Sequence, residues 1–144
     1  MKVRIGRDSV DVEMEVADAD RLGLLCNETR VSRRGGQEGP GDADALVQQA
    51  GEMIRRVTYL QESLALIELD RSRGRAILRS ANPRVDGDSI HYYEAVLEGG
   101  RSASLRRYRY DRGGHGRRAE PANLSTETAS RLACDLLDLF APAR

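Results

Sequence analysis

Apolar and polar residues alternate over residues 9–17, where Val10, Val12, Met14 and Val16 face one way and Asp11, Glu13 and Glu15 the other. A period of two predicts a half-buried strand. Val3 and Ile5 alternate just before it, and Gly6-Arg7-Asp8-Ser9 supplies turn residues, so residues 2–16 read as a hairpin. A third strand is expected around 22–32. Residues 33–44 have no apolar period and carry four glycines and a proline, which predicts a flexible Gly-rich loop at 33–42. From Asp42 the period lengthens: Leu46, Ala50, Met53, Ile54, Val57 and Leu60 share one helical face, giving an amphipathic helix over 43–62. Asp42 is placed to cap it, and Asp44 puts a second carboxylate in the first turn, where the dipole favours negative charge.

Two pairs of strands follow. Residues 64–70 and 75–80 are joined by Arg71-Ser72-Arg73-Gly74; with Asp70 opposite Arg75, Leu69 faces Ala76 and Ile67 faces Leu78. Residues 89–98 and 101–111 are joined by Gly99-Gly100, a two-residue hairpin turn in which glycine tolerates the positive φ. That register sets His91 against Tyr108, Tyr92 against Arg107 and Tyr93 against Arg106. Ser125 precedes a last helix over 126–140, whose Ala129, Leu132, Ala133, Leu136, Leu137 and Phe140 share a face, with Pro142 marking its end.

Strands with short connections favour an antiparallel meander, and two amphipathic helices need a sheet face to bury against, so the expected class is α+β in one domain over 1–144. In element order alone, a strand or hairpin, a helix, four strands and a helix, the chain resembles TBP-like domains and, more loosely, helix-grip domains. A fold hosts unrelated functions, so that order assigns no functional residue.

At 144 residues such a domain buries roughly 68–70% of its unfolded surface and needs no staples. Basic and acidic residues number 23 each, which disfavours a general nucleic-acid coat or a polybasic membrane binder. Mean hydropathy is −0.56 and no apolar run approaches the ~20 residues of a membrane span. The first residues lack the apolar core of a signal peptide, so a cytoplasmic location is expected. Cys26 and Cys134 form neither a CxxC pair nor a zinc knuckle and read as reduced structural thiols, Cys134 as a small hydrophobe beside the last helix's apolar face. Of the basic residues all but Lys2 are arginine. Genomic base composition accounts for that bias, although guanidinium forks also suit carboxylate and phosphate.

Charge is nonetheless polarised. Residues 101–118 hold seven arginines against Asp111 alone, while residues 35–70 hold seven carboxylates against Arg55 and Arg56. Tyrosines interleave with the basic hairpin, so Tyr92, Tyr93, Arg106, Arg107, Tyr108, Arg109 and Tyr110 form the candidate binding surface. The expected function is a non-enzymatic interaction domain that binds copies of itself or a protein partner. An alternative uses the same hairpin for RNA or single-stranded DNA, with rings stacking on bases and an RGG-like loop at 112–118. A third is an enzyme or small-ligand carrier with a pocket between the sheet and the C-terminal helix. His91 with Glu94 or Tyr108 is the place for acid–base chemistry. No metal or cofactor is expected: His91 and Glu94 lie on opposite faces of a strand, and Asp18-Ala-Asp20-Arg-Leu22-Gly23 departs from a calcium loop at Leu22 and at Thr29. There is no GxSxG, and Gly35-Gly36-Gln-Glu-Gly39-Pro-Gly41 lacks the ending of a phosphate loop.

Overall fold

A computed structural model describes residues 1–35, 43–114 and 116–141. Three strands, β1 (Lys2–Arg7), β2 (Val10–Ala19) and β3 (Gly23–Arg33), precede helix α1 (Ala43–Arg56). Then come β4 (Leu64–Asp70), β5 (Arg75–Ser80), β6 (Arg84–Asp86), β7 (Ser89–Glu98), β8 (Ser102–Asp111), β9 (Arg117–Glu120), β10 (Ala122–Ser125) and helix α2 (Thr126–Phe140). All ten strands join one sheet, with a central order β1-β2-β3-β8-β7-β5-β4 and every pair antiparallel. The α+β class with an antiparallel sheet holds.

The core follows from the pleat. One cross-strand row runs Ile5, Val12, Val31, Ala103, Leu97, Ala76, Leu69, and the next on the same face runs Val3, Met14, Thr29, Leu105, Ala95, Leu78, Leu66. Their central members are buried, and the outermost residues on the β1 and β4 edges are not. Both helices lie on this face, α2 against β1, β2, β3 and β10, α1 against β4, β5, β7 and α2. Leu46, Ala50 and Met53 of α1 and Leu132, Leu136, Leu137 and Phe140 of α2 are buried there. Each large side chain removed from water contributes roughly 1.5–3 kcal/mol.

Local chemistry sets the helix ends. The Ser125 hydroxyl accepts from Thr128 N at 3.0 Å, so α2 starts where its sequence predicts. The expected α1 ran to residue 62 but stops at Arg56. Val57 and Thr58 are β-branched and poor helix formers, and leaving the helix lets Leu60 and Glu62 descend into the core, where both are buried. Asp42, Pro142 and most of the Gly-rich loop at 33–42 lie outside the described residues.

Three features depart from expectation. First, β6 and β9 form without an apolar period of their own, and β10 alternates over only the four residues Ala122–Ser125. β9 pairs with β8 and β10 with β3, both antiparallel, so the chain reverses at Pro121 and the two short strands form a V between β3 and β8. Second, β4 carries a bulge between Leu66 and Glu68 that sets Leu66, not Ile67, opposite Leu78 and leaves Ile67 54% exposed. Third, Gly99 (φ 59°) and Gly100 (φ 69°) make the expected turn, but Arg101 is an extra residue and Glu98 pairs with Ser102. Shifting a register by one changes every partner.

Candidate functional site

That shift reorganises the proposed binding hairpin. Tyr92 faces Tyr108, Tyr93 faces Arg107, His91 faces Arg109 and Glu94 faces Arg106. Tyr92, Arg106, Tyr108 and Tyr110 lie on the sheet face away from the helices. Tyr93, Arg107 and Arg109 lie on the other. Tyr93 and Arg107 are 2% and 5% exposed, so neither belongs to a binding surface.

Burial of Arg107 is made possible by carboxylates brought from far along the chain. Its Nη1 donates to Glu62 Oε1 at 3.0 Å, and its Nε lies 3.2 Å from Glu120 Oε1, which also meets His91 Nδ1 at 2.7 Å. The Ser80 hydroxyl donates to Glu62 and accepts from Tyr93 N, and the Arg107 guanidinium sits 4.7 Å from the Tyr93 ring centroid. Burial pushes the Tyr93 hydroxyl above its usual pKa. Sequence reasoning missed Glu62 and Glu120, because nothing near either residue marks its long-range partner. It also paired His91 with Glu94 or Tyr108, both of which lie on the opposite face. The network satisfies its own members, and it locks the end of β9 and the segment after α1 to the sheet.

On the helix-free face the arginines are also matched. Glu94 accepts from Arg79 Nε at 2.7 Å and from Arg117 Nη1 and Nη2 at 2.6 and 3.1 Å. Burial alone would raise the Glu94 pKa, but the two guanidinium groups outweigh it and hold it below the usual carboxylate range. Arg106 Nε donates to Glu28 Oε2 at 2.7 Å there, while on the opposite face Arg109 and Arg118 share Asp111. Arg117 stacks 3.8 Å over Tyr108, whose ring centroid is 6.0 Å from that of Tyr92. The aromatic and basic groups are thus neighbours, as their sequence interleaving suggested, but carboxylates stand among them.

The other candidates resolve into local roles. Asp20 Oδ1 accepts from Leu22 N and Gly23 N, which is turn chemistry. Among the described residues no three His, Cys, Asp or Glu side chains are grouped to hold a metal. Cys26 is buried, and burial raises its thiol pKa. Cys134 is exposed, not packed beside the apolar face of α2. Between the sheet and α2 lies a cavity of about 10 Å³ lined by Cys26, Thr29, Leu60, Tyr93 and Leu132, space for one water molecule at most. His115, within the RGG-like loop, lies outside the described residues.

The largest uncommitted feature is the helix-free face itself. Three rows of seven residues cross it from β1 to β4. The first is Lys2, Glu15, Glu28, Arg106, Glu94, Arg79, Ala65; the second Arg4, Glu13, Arg30, Ser104, Val96, Ile77, Glu68; the third Gly6, Asp11, Ser32, Ser102, Glu98, Arg75, Asp70. Of these residues only Glu94 is buried. Beyond the first row Ile90, Tyr92, Tyr108 and Tyr110 continue the face, beside Val85 at 59% and Ile67 at 54% exposure. The molecule is therefore an α+β domain of two layers with an open sheet face. Compared with known proteins, the chain matches no family model, and no curated protein or solved structure is significantly similar to it.

Proposed function

We propose that this chain is a non-enzymatic interaction domain that self-associates through its helix-free sheet face, as a two-fold dimer. One observation carries the reading: the charge pattern of that face is antisymmetric about β8. On one flank β1 is basic (Lys2, Arg4) and β2 acidic (Asp11, Glu13, Glu15). On the other β4 is acidic (Glu68, Asp70) and β5 basic (Arg75, Arg79).

A two-fold axis parallel to the strands and passing through β8 lays β1 over the partner's β4 and β2 over its β5 while preserving each row. Arg4 then meets Glu68, Glu15 meets Arg79 and Asp11 meets Arg75, each pair occurring twice, as an isologous interface requires. Ser104, Ser102, Val96 and Ile77 form a small uncharged patch at the centre of the face, with Arg30 beside Ser104. The patch suits the close approach of two sheets packed about 10 Å apart. The cost falls on Glu28 facing Glu94 and on Arg106 facing its own copy, each of which already holds an opposite charge within its own chain, and on Arg30 and Glu13, which face the partner's Val96 and Ile77. Complementary charge confers orientation more than affinity.

Nucleic acid fits less well, because carboxylates already occupy the guanidinium groups that would meet phosphates. Glu94, between Arg79 and Arg117, would also repel a phosphate backbone. Among the described residues, the cavity between the sheet and α2 measures about 10 Å³, too small for a carried ligand or a substrate. Element order is the sole support for placing the domain with the TBP-like or helix-grip folds.

A charge swap between two exposed positions tests the dimer. Arg4→Glu and Glu68→Arg should each weaken it, shifting sedimentation toward monomer, and the double variant should restore it. A wild-type chain that sediments as a monomer at every concentration, or a swap without restoration, overturns the reading.

A further inference from the structure

The third row ends at the lower rim of the sheet in a cleft of about 320 Å³, where the balance of charge breaks down. Among the described residues, Arg33, Arg73, Arg75 and Arg101 line it with one carboxylate, Glu98, and the hydroxyl-bearing Ser32 and Ser102 lie between them. The same sheet face elsewhere alternates acids and bases, and the whole chain has no net charge.

These groups are held in place before any ligand arrives. Gly99 N donates to Gly74 O at 2.7 Å, which fastens the β7–β8 turn to the β4–β5 turn. Arg75 is oriented by a 2.8 Å bond from Nη2 to Glu98 Oε1. Arg33 reaches under the rim, where its Nε and Nη2 donate to the carbonyls of Phe140 and Ala141 at the end of α2. Arg73, on the turn, has its Nε 3.8 Å from Asp70, a loose contact that leaves most of its fork available. Asp70 itself is occupied by the Ser72 hydroxyl and Arg73 N.

We propose that this cleft binds a phosphoryl group, as inorganic phosphate or as a small phosphate monoester. A planar carboxylate is served by one guanidinium fork, whereas a tetrahedral dianion takes donors from several directions, and here Arg73 approaches from the β4–β5 turn, Arg33 from the end of β3 and Arg75 from the start of β5. The forks of Arg33 and Arg75, fixed by their own hydrogen bonds, lose little freedom when they bind. The proposal does not depend on the dimer. Arg75 belongs to both surfaces, but Arg73 lies in a turn outside the three rows.

The test is an amide NMR titration of the full chain with inorganic phosphate, with sodium chloride adjusted to hold ionic strength constant. Saturable shifts at Gly99, Ser102 and Ser32 are expected. Arg73→Ala, at an exposed turn position and so harmless to folding, should weaken binding about tenfold, the 1.4 kcal/mol expected of one charged hydrogen bond. Arg73→Lys should fall between the two. A parallel titration with glycerol phosphate separates the sources: tighter binding assigns the cleft to an ester, equal binding to the free anion. Shifts that fail to saturate, that chloride alone reproduces, or that are unchanged in affinity by Arg73→Ala overturn the proposal, whatever the sedimentation result.

Discussion

Glu94 is the one buried carboxylate on an otherwise solvated face, and two arginines depress its pKa. A carboxylate whose pKa is lower folded than unfolded adds stability above the unfolded value, about 4.3, and that stability is lost as pH falls through the folded value. The urea midpoint of the wild type should therefore drop on acidification below about pH 4.5, whereas Glu94→Gln should lower the midpoint at pH 7 and flatten the acid limb. Equal midpoints at pH 7 would show that Arg79 and Arg117 contribute nothing through it. Arg107 presents the opposite case, a buried cation among acids. Arg107→Met leaves Glu62 buried without its counter-charge, which should cost about 3–5 kcal/mol, read as a lower urea midpoint with an unchanged slope. Adding Glu62→Leu should recover much of that loss, because an apolar pair replaces an ion pair at little net cost.

Elements differ in how far their own residues dictate them. α2 was legible to the residue because both signals are local: a serine cap at Ser125 and an apolar stripe at helical spacing. Ser125→Ala should accordingly cost about 1 kcal/mol in thermal unfolding. β9 and β10 were not legible. Arg117-Arg118-Ala119-Glu120 has no alternation, Ala122-Asn123-Leu124-Ser125 alternates over only four residues, and these strands exist because β3 and β8 diverge and leave backbone groups to pair. The same distance from local cause hid Glu62 and Glu120; strand alternation puts Tyr93 and Arg107 on the face opposite Tyr92 and Arg106, and the extra residue Arg101 sets the two buried groups opposite each other. Of the seven hairpin residues proposed as a surface, Tyr93 and Arg107 are buried and the other five reach solvent. The junction of β3 with β10 can be probed at Gly23, where a Cβ would lie 2.6 Å from the Leu124 carbonyl oxygen. Gly23→Ala should force the strands apart and accelerate amide exchange in β10 ahead of the rest of the sheet. Exchange unchanged in β10 would mean that the backbone there yields without loss of pairing.

For the whole molecule the question is which surface a second copy would use, and the sheet offers two edges and one open face. Both edges carry the features by which natural sheets resist pairing. β1 presents Lys2, Arg4 and Arg7, and β4 is broken by its bulge and carries Glu68 and Asp70. Neither edge can extend itself antiparallel without meeting charge or a register fault, whereas the open face has a small uncharged patch at its centre and flanks of opposite sign. Ser104 distinguishes these routes, since it is the middle residue of the middle row, on β8, where the two-fold axis would pass. Ser104→Arg sets two guanidinium groups against each other at that axis, a like-charge contact that costs several kcal/mol in an interface and little in the partly exposed monomer. Ile5→Lys adds charge to the β1 edge and leaves the axis untouched. Sedimentation should show Ser104→Arg as a monomer and Ile5→Lys at the wild-type mass; the reverse pattern would move the interface from the face to the edge.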